Sequence, residues 1–285
     1  WGLPSDALTG KSGLSSSMVV GSMAKLALDE RVALRVKFEG APPQQSQLYF
    51  RGPVLSNFDG RNWVGSGGRD GPGAIFAAGP ADLQVSGPPI RYQMTIEPSQ
   101  QPWLLTLDVA PKPPELSGTQ RARMTADMQW LTYRPITDLL RYSAESYPDY
   151  RYGLTGWDGR ARPNLREYLR LPPGLNPRTQ ALADQLRTQL GDADAMAYVR
   201  AALERLRTGG YTYTLEPGVY GQNTADQFWF DTKAGFCEHI ASAFVVLMRG
   251  AGVPARVVTG FQGGELNGVD GYWTVRNADA HAWAE

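Results

Sequence analysis

Cysteine is the scarcest informative residue in this sequence: among 285 residues there is one, Cys237. No disulfide can form within the chain, so cysteine counting leaves the compartment open. An unpaired thiol in an exported chain needs a reason to exist, and catalysis is one. Histidine is nearly as rare, with only His239 and His281. Net charge is absent, since 28 lysines and arginines balance 28 aspartates and glutamates. No overall field then draws the chain to nucleic acid or an anionic membrane, no nucleic-acid partner is expected, and substrate choice falls to a local site. No apolar run approaches the roughly 20 residues needed to cross a bilayer, and the longest, 240–248, suits a buried helix. Trp1 follows no initiator methionine and opens no basic-then-apolar leader, as expected of a piece of a longer protein. A nucleotide-binding glycine fingerprint, a calcium loop, internal repeats and low-complexity tracts are missing as well, so no cofactor is expected.

What is present is core material in two periodicities. At 42% hydrophobic and 11% aromatic the chain can bury sizeable cores, and its length exceeds that of a usual domain, so two cores are the first expectation, with one large core as the alternative. Val32, Leu34, Val36 and Phe38 alternate at the strand period, and 48–50 and 91–96 add strand-like runs. Asp59-Gly60 favours a tight hairpin, with Trp63 beyond it placed to cover the sheet. The stretch 65–79, dense in glycine, proline and alanine, reads as a long exposed loop. A β sandwich or small barrel is expected over about 25–145.

From Pro163 onward the period changes. Asn176-Pro177 supplies a cap and a first-turn proline for a helix carrying Leu182, Leu186 and Leu190. A second helix runs from Asp192, with Val199, Leu203 and Leu206 on one face and Gly209-Gly210 as the stop. The fold class is therefore α+β: a β-rich, sandwich-like domain over residues 1–160, then a second domain over 161–285, joined at 152–163.

The segment that carries chemistry is Asp231-Thr232-Lys233-Ala234-Gly235-Phe236-Cys237-Glu238-His239, followed by the apolar run to Met248. A glycine-bearing turn delivers Cys237 to the start of a helix that is apolar nearly all round, and such a helix is buried. The free N–H groups and positive dipole end there favour a thiolate over a thiol. Thiolate chemistry on a carbonyl also needs a proton carrier. His239, two residues on, sits about 200° around the helix from Cys237 and points away. His281 lies in an alternating run, 279–285, that reads as a strand able to meet the sulfur across a sheet. On these residues alone a small core cysteine remains open. So does a metal site built from Cys237, His239, Asp279 and His281, although zinc sites use wider CxxC or HxxxH spacing.

Three motifs together resemble the transglutaminase-like superfamily in order and spacing: Gly235-Phe236-Cys237-Glu238-His239, Gly252-Val253-Pro254-Ala255-Arg256-Val257-Val258-Thr259-Gly260-Phe261, and Asp279-Ala280-His281-Ala282-Trp283-Ala284-Glu285. The resemblance covers about 163–285. Upstream, Leu48-Tyr49-Phe50-Arg51-Gly52-Pro53-Val54-Leu55 and Phe58-Asp59-Gly60-Arg61-Asn62-Trp63 are similar to the extracytoplasmic part of TgpA-type bacterial inner-membrane proteins. The resemblance implies a papain-like core in which the cysteine helix packs on an antiparallel sheet that carries the histidine. Cys237 falls on the nucleophile and His281 on its base, with acyl transfer through a thioester to an amine or to water. The Cys237 N–H is implied as one oxyanion donor and an upstream side chain as the other. Tyr213 is the candidate for that second donor, with an aromatic packed on the sheet as the alternative. The family's third residue, usually an aspartate on the next strand, is expected past Glu285, so the catalytic half is expected to be truncated at its C-terminus. Asp279 is the candidate orienting acid within the chain.

Several neighbours carry two readings each. Trp229 and Trp273 either wall a substrate channel or pack the core. Glu238 and His239 cap the helix or hold neighbouring loops. The segment 265–271 is either a loop over the cleft or a hairpin connection. For the whole chain the expectation is cysteine-dependent acyl transfer on protein or peptide glutamine or amide groups, as a transglutaminase or as its hydrolytic amidase or protease variant. The competing reading is a non-catalytic binding or scaffold module of the bacterial cell envelope. The TgpA resemblance implies a periplasmic location, anchoring of the full-length protein in an inner membrane by segments outside this chain, and a protein, peptide or cell-envelope substrate.

Overall fold

The computed structural model describes residues 14–65, 83–118, 120–152 and 163–285. The expected loop at 65–79 and the expected junction at 152–163 lie outside the described residues, apart from Gly65, Tyr152 and Pro163.

Two antiparallel sheets are built from β1 (Val32–Phe38), β2 (Tyr49–Leu55), β3 (Ile90–Ile96), β4 (Thr106–Leu107), β5 (Glu115–Leu116), β6 (Leu140–Ser146), β7 (Val257–Gln262), β8 (Glu265–Leu266), β9 (Trp273–Arg276) and β10 (Ala280–Ala284). The larger sheet runs β5-β6-β3-β1-β9-β8 and the smaller β10-β7-β2-β4. The alternation read in β1 holds, with Leu34 and Val36 fully buried between partly exposed neighbours.

The order of strands interleaves the two halves of the chain. In the larger sheet β9 pairs with β1, setting Val275 opposite Leu34. In the smaller, β7 pairs with β2, setting Phe261 opposite Phe50. Each sheet therefore contains strands from both sides of residue 160, and buried side chains of both halves form one continuous cluster. The β-rich N-terminal half forms as expected, and its strands pair with those of the C-terminal half. A period reports how a segment is folded locally, whereas pairing depends on which other segment reaches it.

Gly260 shows how tightly these strands meet. A Cβ there would stand 2.0 Å from the Phe50 carbonyl oxygen and 2.9 Å from the Trp283 ring. Only a residue without a side chain lets β7 pass between β2 and β10 at this level.

Three longer helices follow: α3 (Cys237–Gly250) packs on the smaller sheet, and α1 (Pro177–Leu190) and α2 (Ala195–Thr208) pack against α3. Asn176 does not cap α1 with its side chain. Instead the Asp226 carboxylate accepts the N–H groups of Arg178 and Thr179 at the start of α1, while Asn176 Oδ1 accepts those of Ala225 and Asp226. Two helix starts cap each other, an arrangement that no local motif announces. In α2 the cap is Asp194, whose carboxylate accepts the Ala197 N–H at 2.8 Å, and the helix ends against Gly209.

Helix α3 is buried along most of its length, Arg249 included. That guanidinium donates to the carbonyls of Ala255, Arg170 and Ser56 near the negative end of the helix. The hairpin at Asp59-Gly60 forms as expected, and Trp63 beyond it packs on α3. Its Nε1–H donates to Ser242 Oγ at 2.8 Å and its ring lies 5.0 Å from the Arg249 guanidinium carbon.

Candidate active site

The turn before α3 is built by pairing rather than by glycine alone. Thr212–Tyr213 runs parallel to Ala234–Gly235, with Tyr213 opposite Gly235, and the Tyr213 ring packs on Phe236 at 5.4 Å. Phe236 is extended, so Cys237 is the first residue of α3 and its N–H has no carbonyl one turn earlier to bond. A side chain at Gly235 would press on the His239 Cβ at 2.8 Å, which keeps this approach narrow.

Across from the helix start runs β10. Its Ala282 N–H donates toward the Cys237 sulfur, as do the Glu238 N–H and the Tyr213 hydroxyl. Burial pushes the thiol up to about 12, and these donors pull the other way without overcoming it. With the residue only 3% exposed, burial works against the thiolate that its place at a helix start favours. Burial also lowers the pKa of His281, leaving its imidazole neutral and free to accept a proton. For Tyr213, burial raises the phenol and keeps it protonated as a donor.

Cys237, His281 and Tyr213 all line one cleft of about 610 Å³. Asp279 does not. It ends the turn before β10, where its Oδ2 accepts the Arg276 N–H at 2.8 Å, and it faces a separate surface depression with Glu30 and Glu265. Among the described residues no carboxylate is hydrogen-bonded to His281, whose ring instead meets the edge of Tyr49 at a centroid distance of 6.3 Å. His239 points away as the helical offset requires: Nδ1 accepts the Phe236 N–H at 3.3 Å, the ring packs on Tyr220 at 4.6 Å, and burial lowers its pKa to about 4. Among the described residues no group of three or more cysteine, histidine or acidic side chains is arranged to hold a metal ion.

Of the double readings, the structural one applies in each case. Trp229 is fully buried with its Nε1–H on the Ala243 carbonyl, and Trp273 lies in β9; neither lines the cleft. Trp283 lines it instead, with its ring against Tyr49. Glu238 holds a neighbouring segment, accepting the N–H groups of Ser22 and Met23; burial raises its carboxyl to about 7 against their pull. The 265–271 segment is the hairpin joining β8 to β9.

One feature escaped the sequence reading. At the far end of the cleft Glu285 forms a buried cluster with Arg51 and Arg256. Arg51 grips the carboxylate through both terminal nitrogens, and Arg256 donates to Oε2 at 3.0 and 3.1 Å. Arg256 also donates to Asp127 at 2.9 Å, and the Tyr150 hydroxyl donates to Glu285 at 2.7 Å. Burial would raise the Glu285 carboxyl, but the two guanidiniums hold it well below the usual carboxylate range. The cluster ties β2, the approach to β7 and the end of β10, the strand that carries His281. The signal available in the sequence was an arginine in each of two otherwise apolar strand runs.

The family model of the TgpA N-terminal domain matches residues 1–153, and that of the transglutaminase-like superfamily matches 180–285. A protein-glutamine gamma-glutamyltransferase of Pseudomonas aeruginosa is 40% identical over all 285 residues, which correspond to 40% of its own length. YebA of Bacillus subtilis is 40% identical over 126 residues, 41% of this chain and 17% of that protein. The chain thus spans well under half of either curated relative. The crystal structure of the periplasmic domain of TgpA from Pseudomonas aeruginosa superposes with a TM-score of 0.84 at 39% identity, covering 96% of this chain and 89% of that one. A second crystal structure of that domain, bound to ethylmercury, gives the same TM-score at 38% identity.

Proposed function

The chain belongs to the TgpA family, with a transglutaminase-like core, and from that premise we propose that it catalyses acyl transfer from protein or peptide glutamine through a thioester on Cys237. The observation that carries the reading is the convergence of a thiol, a neutral imidazole and a phenol, from three separate segments, on one cleft. His281 takes the thiol proton as sulfur bonds to the carboxamide carbon, and the carbonyl becomes an oxyanion. The Tyr213 hydroxyl and the Cys237 N–H hold that charge. The intermediate collapses as the imidazolium gives its proton to the nitrogen, releasing ammonia and leaving the thioester. A primary amine then attacks, His281 takes its proton, and the thiol is restored as the new amide departs. The same steps with water as acceptor give hydrolysis. A cleft walled largely by apolar side chains favours the amine, because it holds little water next to the thioester.

The resting state in this scheme is a thiol beside a neutral histidine, and its pH profile has a definite sign. Activity falls when His281 is protonated, and burial lowers its pKa from 6.5. The acid limb of kcat/KM is therefore expected to have its midpoint below 6.5, with no loss up to about pH 9, since the thiol titrates far above. A midpoint above 7 would contradict a buried neutral base. Tyr213→Phe is expected to lower kcat about 100-fold with KM little changed, as loss of one oxyanion donor does. An unchanged kcat would reduce Tyr213 to packing.

The placement that goes with this reading is periplasmic, as in the relative's periplasmic domain, with attachment to the inner membrane by parts of the protein outside this chain. Among the described residues no helix is long and apolar enough to cross a membrane. The test is incubation with a glutamine-bearing protein and a labelled primary amine. Covalent label on glutamine is the expected result. Conversion of glutamine to glutamate without label would assign the hydrolytic variant, and no change in any donor would assign a binding module.

A further inference from the structure

Helix α2 turns two different faces to the rest of the molecule. Tyr198 and Ala202 are its buried contacts. Met196, Val199, Leu203 and Leu206 form a second stripe that is not buried in the core: they line the cleft that holds Cys237, and Met196 and Leu203 are each 51% exposed. Facing it are Ile240, Phe244 and Met248, which continue along α3 from the nucleophile on the same side. Val199 and Leu206 also pack against the core, whereas Met196 and Leu203 leave apolar surface open along the cleft that holds the sulfur.

We propose that the acyl donor is recognised through an uncharged apolar segment of its own chain, extended beside the reactive glutamine and seated between α2 and α3. This inference rests on the thioester reading and names the donor class for that site. The length fits: the span from Cys237 to Met248 is about 16 Å at 1.5 Å per helical residue, room for roughly four to five extended residues. The charge pattern selects the chemistry. Arg256 and Glu285, the charged groups at the far end, are engaged with each other and with Asp127 and Arg51. Cys237 and His281 are uncharged at rest. A charged donor side chain would lose water here without gaining a partner, whereas an apolar one gains cover.

The experiment uses a peptide series with one glutamine and four variable residues on one side or the other, all leucine, all serine, or leucine with one central lysine or aspartate. Amine incorporation is expected to show kcat/KM at least 10-fold higher for the leucine peptide of one orientation than for any other. Equal rates across the series would overturn the inference while leaving the thioester reading intact. Binding of the same peptides to the Cys237→Ala chain, followed by tryptophan fluorescence, tests the groove separately from turnover. Leucine-selective binding supports the groove even if no peptide is turned over, and unselective binding overturns it.

Leu203→Glu, at a half-exposed position, provides the charge swap. It is expected to lower kcat/KM on the leucine peptide about 10-fold and to raise it on the lysine peptide. The same proportional loss on every peptide would show that Leu203 does not read the donor. If decanoate blocks turnover of every peptide alike and leucine confers no advantage, the groove holds a lipid chain and the proposal falls.

Discussion

Cys237→Ala is expected to abolish amine incorporation into a glutamine donor, by at least about 1,000-fold, while the chain remains folded. The mutation removes one sulfur atom from a side chain that is 3% exposed, so the packing of α3 on β10 changes little. No other described side chain in the cleft is a thiol, and the chain has no second cysteine to substitute. Cys237→Ser is the sharper control. The hydroxyl can occupy the same site, but it is a far weaker acid than the thiol, and a neutral imidazole is a poor base for it. Residual activity in the serine variant should be no more than about 1%. Circular dichroism and a thermal melt check the fold, and mass spectrometry of a trapped acyl-enzyme checks the bond. Alanine protein that still incorporates amine at the parental rate would end the thioester reading.

Arg51→Met should be the most destabilising single change at the cleft, by about 3–5 kcal/mol. Arg51 is almost completely buried, and its loss leaves the Glu285 carboxylate with only Arg256 and Tyr150. The Nε of Arg51 has no hydrogen-bond partner, so the arginine itself carries an unbalanced desolvation cost. Replacing Glu285 by methionine as well removes both charges and should recover part of the loss, which a urea midpoint measures. The pH dependence has a fixed sign. The carboxyl of Glu285 is lowered on folding from 4.5, so its contribution is fully present above about pH 4.5 and is lost as pH falls toward the folded value. In Arg51→Met that acid-sensitive part should shrink. Equal stability of the two proteins at pH 7 would show that the cluster holds nothing.

Because the cluster anchors the end of β10, the consequence reaches the chemistry. His281 lies four residues upstream of Glu285 on the same segment, and among the described residues β10 pairs with β7 at the edge of its sheet. Arg51 itself comes from β2 in the first half of the chain, so a residue far from any catalytic motif holds the strand of the proposed base.

Much of this was written locally. The start of α3 at Cys237, the turn of His239 away from the sulfur and the strand of His281 follow from short-range offsets, and three motifs agree in order. The alternation in β1 and the stop of α2 at Gly209 are local for the same reason. Other features join residues that no window can see together. Arg51 and Glu285 are 234 positions apart, and Trp63 and Ser242 are 179. The apolar stripe of α2 was visible as a stripe, but its periodicity is the same whether it meets a core or an open cleft. Likewise the dipole at the start of α3 is legible while the burial that opposes it is not.

By itself, then, the sequence marked the three helices, the alternation of β1, the strand of His281 and the motif positions of Cys237 and His281, because these depend on neighbours along the chain. Only the tertiary structure decided that the two halves share their sheets, that burial works against ionisation of the Cys237 thiol, that Asp279 faces elsewhere, and that Arg51 clamps the histidine strand. Those outcomes depend on solvent exclusion and on distances between remote segments, quantities that do not exist until the chain has closed on itself.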